Sequence, residues 1–331
     1  MAAPAELRTP LPVSRVLWRG TRRMLAPVAG AGGFAKVMLL VGAGITAFFV
    51  LVALLAPVIS PYAFDQYSSG GHRFAQLAAP SSGHPMGTTV QSTDVLARVI
   101  WGTQTELKVV VVSLAFALAV GVPLGLVSGY FSGPLDRALV LLMDALYAFP
   151  YLLLAIVIAF LLSNSIGKGV LTAAIAISGA YIPLYFRVVR NHVISLREEP
   201  YVEAARALGA RPFTVIRRYV FYNVVQNVPP IATLNAADAI LTLAALGFLG
   251  YGIQPTEAAE WGYDIQRAVS DAASGIWWTG LFPGLAIVLL VTGLTLLGEG
   301  LNETINPVLR RRAVAKFELP AVPPSADIVE P

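Results

Sequence analysis

Residues Glu198-Glu199-Pro200-Tyr201-Val202-Glu203-Ala204-Ala205-Arg206-Ala207-Leu208-Gly209 form a polar, helix-forming stretch between two long hydrophobic segments. Pro200 suits the first position of a helix, and Glu198 and Glu199 stand ahead of it, where the positive end of the helix dipole favours anions. Tyr201, Ala204, Ala205 and Leu208 recur at helical spacing, which predicts an apolar stripe with Glu203 and Arg206 outside it. Gly209 supplies a left-handed exit, and Arg211-Pro212 begins a second short helix. A loop with its own amphipathic helix reads as a surface to be gripped by another protein.

Working outward, the flanking segments place this loop in a membrane protein. The chain has 331 residues, 56% hydrophobic and only 13% charged, too apolar for an ordinary soluble domain. The net charge of +4 follows from basic residues at the ends of apolar runs, not from a basic soluble face, so membrane topology explains it better than nucleic acid. There are no cysteines, which excludes thiol catalysis, disulfides and thiolate metal sites. His72, His84 and His192 are scattered, and no metal site is expected. Residues 1–36 read as a cytoplasmic leader and not a cleaved signal, since the apolar run that follows is too long for a secretory core.

A spanning helix needs roughly 20 mostly apolar residues. Six candidates lie at 37–59, 107–131, 138–162, 170–186, 223–249 and 281–301, the fifth interrupted by Asn227, Pro229, Pro230, Asn235 and Asp238. With the N-terminus inside, eighteen of the 23 Lys and Arg fall on inner segments and four on outer ones, as the positive-inside rule requires. Both termini and the Glu203 loop are then expected on the cytoplasmic side. The division is a leader (1–36), a first span (37–59), an extracytoplasmic segment (60–102) with room for short helices, a five-helix domain (103–301) containing the 187–222 loop, and a cytoplasmic tail (302–331). Outer residues 252–279 carry Glu257, Glu260, Asp264 and three tryptophans, Trp261, Trp277 and Trp278, which read as interfacial anchors.

Further stretches, taken in order, carry a resemblance. They are His84-Pro85-Met86-Gly87-Thr88, Asp94-Val95-Leu96-Ala97-Arg98, Gly121-Val122-Pro123-Leu124-Gly125, Gly129-Tyr130-Phe131, Asp144-Ala145-Leu146-Tyr147-Ala148-Phe149-Pro150, Phe282-Pro283-Gly284 and Leu297-Gly298-Glu299-Gly300-Leu301. Together with the opening loop, they make most of the chain from 84 to 310 similar to the C-type permease of dipeptide, oligopeptide and nickel ABC importers. The resemblance implies an all-α polytopic fold with six transmembrane helices, of the ABC importer type-1 transmembrane class, in a bacterial plasma membrane. It implies a homologous second permease, two cytoplasmic ATP-binding subunits and an extracytoplasmic substrate-binding protein as partners, with no cofactor. It also makes Glu203, Ala204, Ala205 and Gly209 the ATPase-coupling loop. The chain departs from the family pattern at Thr89, where an acidic residue is usual, and at Ser92-Thr93, in place of a Gly-Arg pair. Tyr222 replaces a closing proline, Leu243 a glutamate common in peptide-type members, and Asp238 a small residue.

Gly121, Gly125 and Gly129 form a ladder of small residues on one face of the second span, which reads first as close helix packing. Asp144 and Asp238 are the sharper signals. A carboxylate inside a bilayer costs several kcal/mol unless it faces protein or water, which makes both candidates for the translocation path. For Asp144, near the inner end of its span, a structural bond to another helix remains open, and for Asp238 a neighbouring Asn or Tyr would serve as well as a peptide amino terminus or a metal cation. Arg206, Arg211, Arg217 and Arg218 read as topology determinants and headgroup contacts.

No G-x-x-x-x-G-K-[ST] phosphate loop and no acid/base or nucleophile constellation occurs, so the chain is expected to be a non-enzymatic transport subunit. Peptides are the expected cargo, with nickel or another small solute as the alternative. An ion-coupled secondary transporter using Asp144 and Asp238, or a membrane scaffold, would not need the loop.

Overall fold

The computed structural model describes residues 33–226 and 228–305. The leader up to residue 32 and the tail from residue 306 lie outside the described residues. Helix α1 spans Gly33–Ile59, followed by a two-stranded hairpin, β1 (Ser68–Ser69) and β2 (His72–Arg73), with Ser68 opposite Arg73. Then come α2 (Val95–Phe131), α3 (Gly133–Tyr147), α4 (Tyr151–Ile166) and α5 (Val170–Leu196). The loop carries α6 (Pro200–Ala207) and α7 (Pro212–Val215), then a π-helical turn (Ile216–Val220) and α8 (Phe221–Val225). Helices α9 (Val228–Phe248), α10 (Trp261–Ala273) and α11 (Trp278–Ile305) complete the fold.

Among the described residues, α1, α2, α5, α9 and α11 are each long and apolar enough to cross a membrane. The third expected span is not one straight helix. It is the pair α3 and α4, bent by 95° at Ala148-Phe149-Pro150, which makes a sixth crossing if the pair is one broken span. Pro150 has no N–H to continue the ladder and disfavours helical backbone at Phe149, so the break falls there. The fifth span is likewise divided. Pro229 and Pro230 sit in the first turn of α9, where a missing N–H costs nothing, and the chain before it forms the separate α8.

Helix α2 starts well before residue 107, because the Asp94 carboxylate caps it: Oδ1 accepts from Ala97 N at 2.7 Å. At 37 residues it is longer than a bilayer core is thick, so its first turns join the segment that precedes it. That segment has room for short helices but holds none between residues 60 and 94. It is built from the hairpin and from turns pinned by side chains. Thr88 Oγ1 donates to Ala75 O at 2.6 Å, and His84 Nδ1 lies 2.8 Å from Asp94 Oδ2. Thr89 and Thr93 share a 2.7 Å hydroxyl contact. Ser92, at the place of the resembled family's glycine, holds φ +62° and accepts from Arg73 Nε at 3.2 Å.

The core packs Val109 and Ala117 of α2, Ile177 and Tyr185 of α5, Ile240 and Leu243 of α9, and Leu290 of α11. The glycine ladder faces α5 at backbone distance. A Cβ at Gly125 would lie 2.7 Å from Phe186 O, and one at Gly129 would lie 2.7 Å from Val193 Cβ. Small residues here let two helices approach until main chain meets side chain. Trp261 is not an interfacial anchor: it is fully buried, packs edge-on to Phe49, and donates Nε1–H to Val99 O at 3.2 Å. Trp278 is also tied inward, to Thr88 O at 3.2 Å, while Trp277 stays half-exposed.

Candidate functional site

Three polar regions interrupt this apolar frame: the 187–222 loop at one end, a cluster at the middle of α9, and a buried group of charges at the opposite end.

The loop is a pair of short helices clamped onto the ends of α2 and α5. Val202, Val215, Val220 and Val224 are buried against Val122, Leu126, Val189 and Val193. Glu199 precedes the first turn of α6 with extended backbone, and Pro200 takes the first helical position. Gly209 has φ +80° and nothing within 4 Å of a built Cβ, so its constraint is conformational and not steric. Ala210 N closes the turn on Ala205 O at 3.0 Å.

The apolar stripe predicted for α6 is corrected here. Val202 and Ala205 face inward, while Tyr201 and Ala204 are exposed and Leu208 is 88% exposed. The real contact face is narrower because α6 has only two turns, and its anchoring residues are one i, i+3 pair. Glu203 and Gly209 are exposed as well. The outward surface of Glu203, Ala204, Leu208, Gly209 and the 72%-exposed Phe213 therefore belongs to a loop whose other side is firmly held. Leu208 and Phe213 escaped the sequence reading, because periodicity assigned the first to the buried stripe and gave the second no role.

Of the residues read as headgroup contacts, Arg206 has a specific protein partner, as do other arginines near the loop. Arg206 lies over the Tyr130 ring at 5.0 Å, and Arg197 Nη1 donates to Gly129 O at 3.1 Å and to Ser132 Oγ. Arg190 grips Asp136 in a two-pronged pair, Nε to Oδ1 at 2.7 Å and Nη2 to Oδ2 at 2.8 Å. Asp144 bonds Arg187 Nη2 at 2.8 Å across α3 and α5, with both side chains about half-exposed.

Asp238 has a different setting. It stands at the midpoint of α9, half-buried, and accepts the Tyr181 hydroxyl of α5 at 2.6 Å. Thr242, one turn on, donates to Asp238 O at 2.9 Å. Tyr151 of α4 lies near both Asp238 and Thr242. Among the described residues no cation pairs with Asp238, whereas Asp136 and Asp144 each face an arginine.

At the opposite end, buried Arg98 joins Asp264 with Nε to Oδ1 at 2.7 Å and also donates to Phe64 O. Glu260 caps α10, accepting Gly262 N at 2.6 Å and Tyr263 N at 2.8 Å. Burial, only partly opposed by those donors, pushes its carboxyl up to about 8. Fully buried Glu106 lies against it, and neither Glu106 oxygen has a well-formed donor. Nothing in the local sequence around Glu106 signals this pairing, since its partner is on a distant loop. Among the described residues no cluster could hold a metal ion.

Residues 121–311 match the family described as binding-protein-dependent transport system inner membrane component. The dipeptide transport system permease protein DppC of Alkalihalophilus pseudofirmus is 35% identical over 274 residues, 82% of this chain and 86% of the relative. The glutathione transport system permease protein GsiD of Pectobacterium atrosepticum is 32% identical over 306 residues, 92% and 93% of the two chains. Among solved structures, a chain of the inward-facing MetNI methionine ABC transporter superposes with a TM-score of 0.52 at 19% identity, covering 63% of this chain and 96% of that one. At that identity the likeness establishes the shared fold.

Proposed function

The chain belongs to the family of binding-protein-dependent transport system inner membrane components, and on that premise we propose how it works as the C-type permease of a peptide ABC importer. It forms half of a translocation pathway for di- or oligopeptides across the bacterial inner membrane, opposite a homologous second permease. Two cytoplasmic ATPases drive it and an extracytoplasmic binding protein delivers the cargo. The termini and the 187–222 loop face the cytoplasm, in keeping with the basic residues concentrated there.

The observation that carries the coupling assignment is the two-sided loop. Its valine face is locked to α2 and α5, and Glu203, Ala204, Leu208 and Phe213 are presented outward. Ala205 supports this surface from within. An ATPase that grips such a surface moves α2 and α5 directly, because the loop is packed onto both.

The test is uptake by the reconstituted importer: this chain, its partner permease, both ATPases and the binding protein in proteoliposomes. Labelled dialanine should accumulate only with ATP on the loop side, and nickel should not. Uptake driven by an ion gradient without ATP would instead assign a secondary transporter.

A further inference from the structure

The polar cluster around Asp238 has a composition that a purely structural bond does not require. On α9, Asn235, Asp238 and Thr242 follow one another at helical spacing of three and four, so they share a face. Tyr181 and Tyr185 of α5 stand opposite, again four apart, and Tyr151 of α4 completes the group. One Tyr–Asp bond, at 2.6 Å, is complete. The Tyr185 hydroxyl is buried and lies beside the Asn235 amide.

The cluster is also open on one side. Asp238 is only half-buried, and Tyr151 is 49% exposed. Lipid would be a poor neighbour for that opening, because the aspartate has no counter-cation among the described residues. The chemistry that fits is a primary ammonium. It carries three N–H donors and one positive charge. A carboxylate oxygen and hydroxyl oxygens can accept those donors, and tyrosine rings beside them attract the charge through their faces. A transition metal would need more carboxylate or imidazole ligands than the site provides. A proton relay would need a second titratable acceptor in line, and the next aspartate, Asp144, is already held by Arg187.

We propose that Asp238, with Tyr151, Tyr181 and Thr242, forms an intramembrane station that receives the free α-ammonium group of the transported peptide midway through the membrane. The assignment rests on the peptide-importer reading above. Asp238 is a specificity-determining residue on this view: it offsets the desolvation of the peptide's cationic end where water is scarcest, and Tyr181 keeps the carboxylate aimed between transport events.

The experiment uses the complete importer in proteoliposomes with dialanine as probe. Asp238→Asn should lower the maximal ATP-driven uptake rate at least tenfold. The half-saturating concentration, set by the binding protein, should stay within twofold of the parent. Asp238→Glu should recover the rate to within threefold, which a purely structural loss would not allow. Tyr151→Phe changes an exposed position where folding is not at risk, and should lower the same rate at least threefold; it decides the matter if Asp238→Asn does not assemble. Parent-like rates in these variants overturn the assignment. So does uptake by the parent that collapses when the pH gradient is dissipated, since the carboxylate would then serve protons. A parent complex that moves no dialanine with ATP would count against the importer reading itself, a separate result.

Discussion

Arg98 and Asp264 are 166 positions apart in sequence and meet through a 2.7 Å bond from Nε to Oδ1, with Arg98 3% and Asp264 9% exposed. The pair fastens α10 to the start of α2 at the end of the molecule opposite the loop. Burial raises the Asp264 carboxyl even against the pull of the arginine, so the pair holds a charge that the surroundings do not favour.

That arrangement makes a single truncation worse than a double one. Arg98→Met should destabilise the detergent-solubilised protein by about 3–5 kcal/mol, because it strands a buried carboxylate. Arg98→Met with Asp264→Leu should recover most of that loss. The check is thermal unfolding of parent, single and double variants. Equal losses in both would show that the bond, not the stranded charge, carries the effect.

The end opposite the loop should also be pH-sensitive. Glu260 holds its proton more tightly in the fold, with a pKa of about 8 against 4.5 for a free carboxyl. The folded state therefore binds more protons than the unfolded chain between those values. The contribution of Glu260 to stability is greatest below 4.5 and should fall as pH rises toward 8. Glu106→Gln places an amide donor against Glu260 and favours its charged form, so the slope of melting temperature with pH should flatten. A steeper slope in the variant would contradict the pairing.

At the loop, Gly209→Val forces a β-branched residue into φ +80° and should misaim α6 relative to α7. The membrane helices lie outside the change, so insertion should be normal, while ATPase co-purification falls at least tenfold. Glu203→Ala should be milder. Leu208→Asp, at an 88%-exposed position, should weaken ATPase binding without lowering the melting temperature. Normal binding and transport in all three would remove the loop from the coupling path.

Orientation can be read directly because the chain has no native cysteine. Ser69→Cys at the hairpin tip and Ala207→Cys on α6 are both exposed. A membrane-impermeant thiol reagent should label the first from the outside and the second only from the cytoplasmic face. Labelling of both from one side would overturn the six-crossing arrangement.

Much of this protein was written in local pattern. Runs of apolar residues near bilayer length located five crossing helices, since a spanning segment must satisfy its own backbone whatever surrounds it. The left-handed turn at Gly209 was legible for a related reason: a helix ending there needs a residue that tolerates positive φ. The same logic failed where two local rules competed. Apolarity ran through Ala148-Phe149-Pro150, but backbone sterics at Pro150 broke the helix by 95°. On α6, two turns gave too few residues for periodicity to separate the held face from the presented one.

What tertiary structure alone decided are the pairings between distant residues. Trp261 looked like an interfacial aromatic, and became core because α2 offers Gly102 beneath its ring and Val99 O to its N–H. Glu106 meeting Glu260, Arg98 meeting Asp264, and Tyr181 meeting Asp238 carry no signature in their own neighbourhoods. Helical period fixes which side of a helix a residue occupies. Which helix comes to stand opposite depends on how glycine ladders and side-chain volumes let whole helices pack, and that is a property of the folded chain.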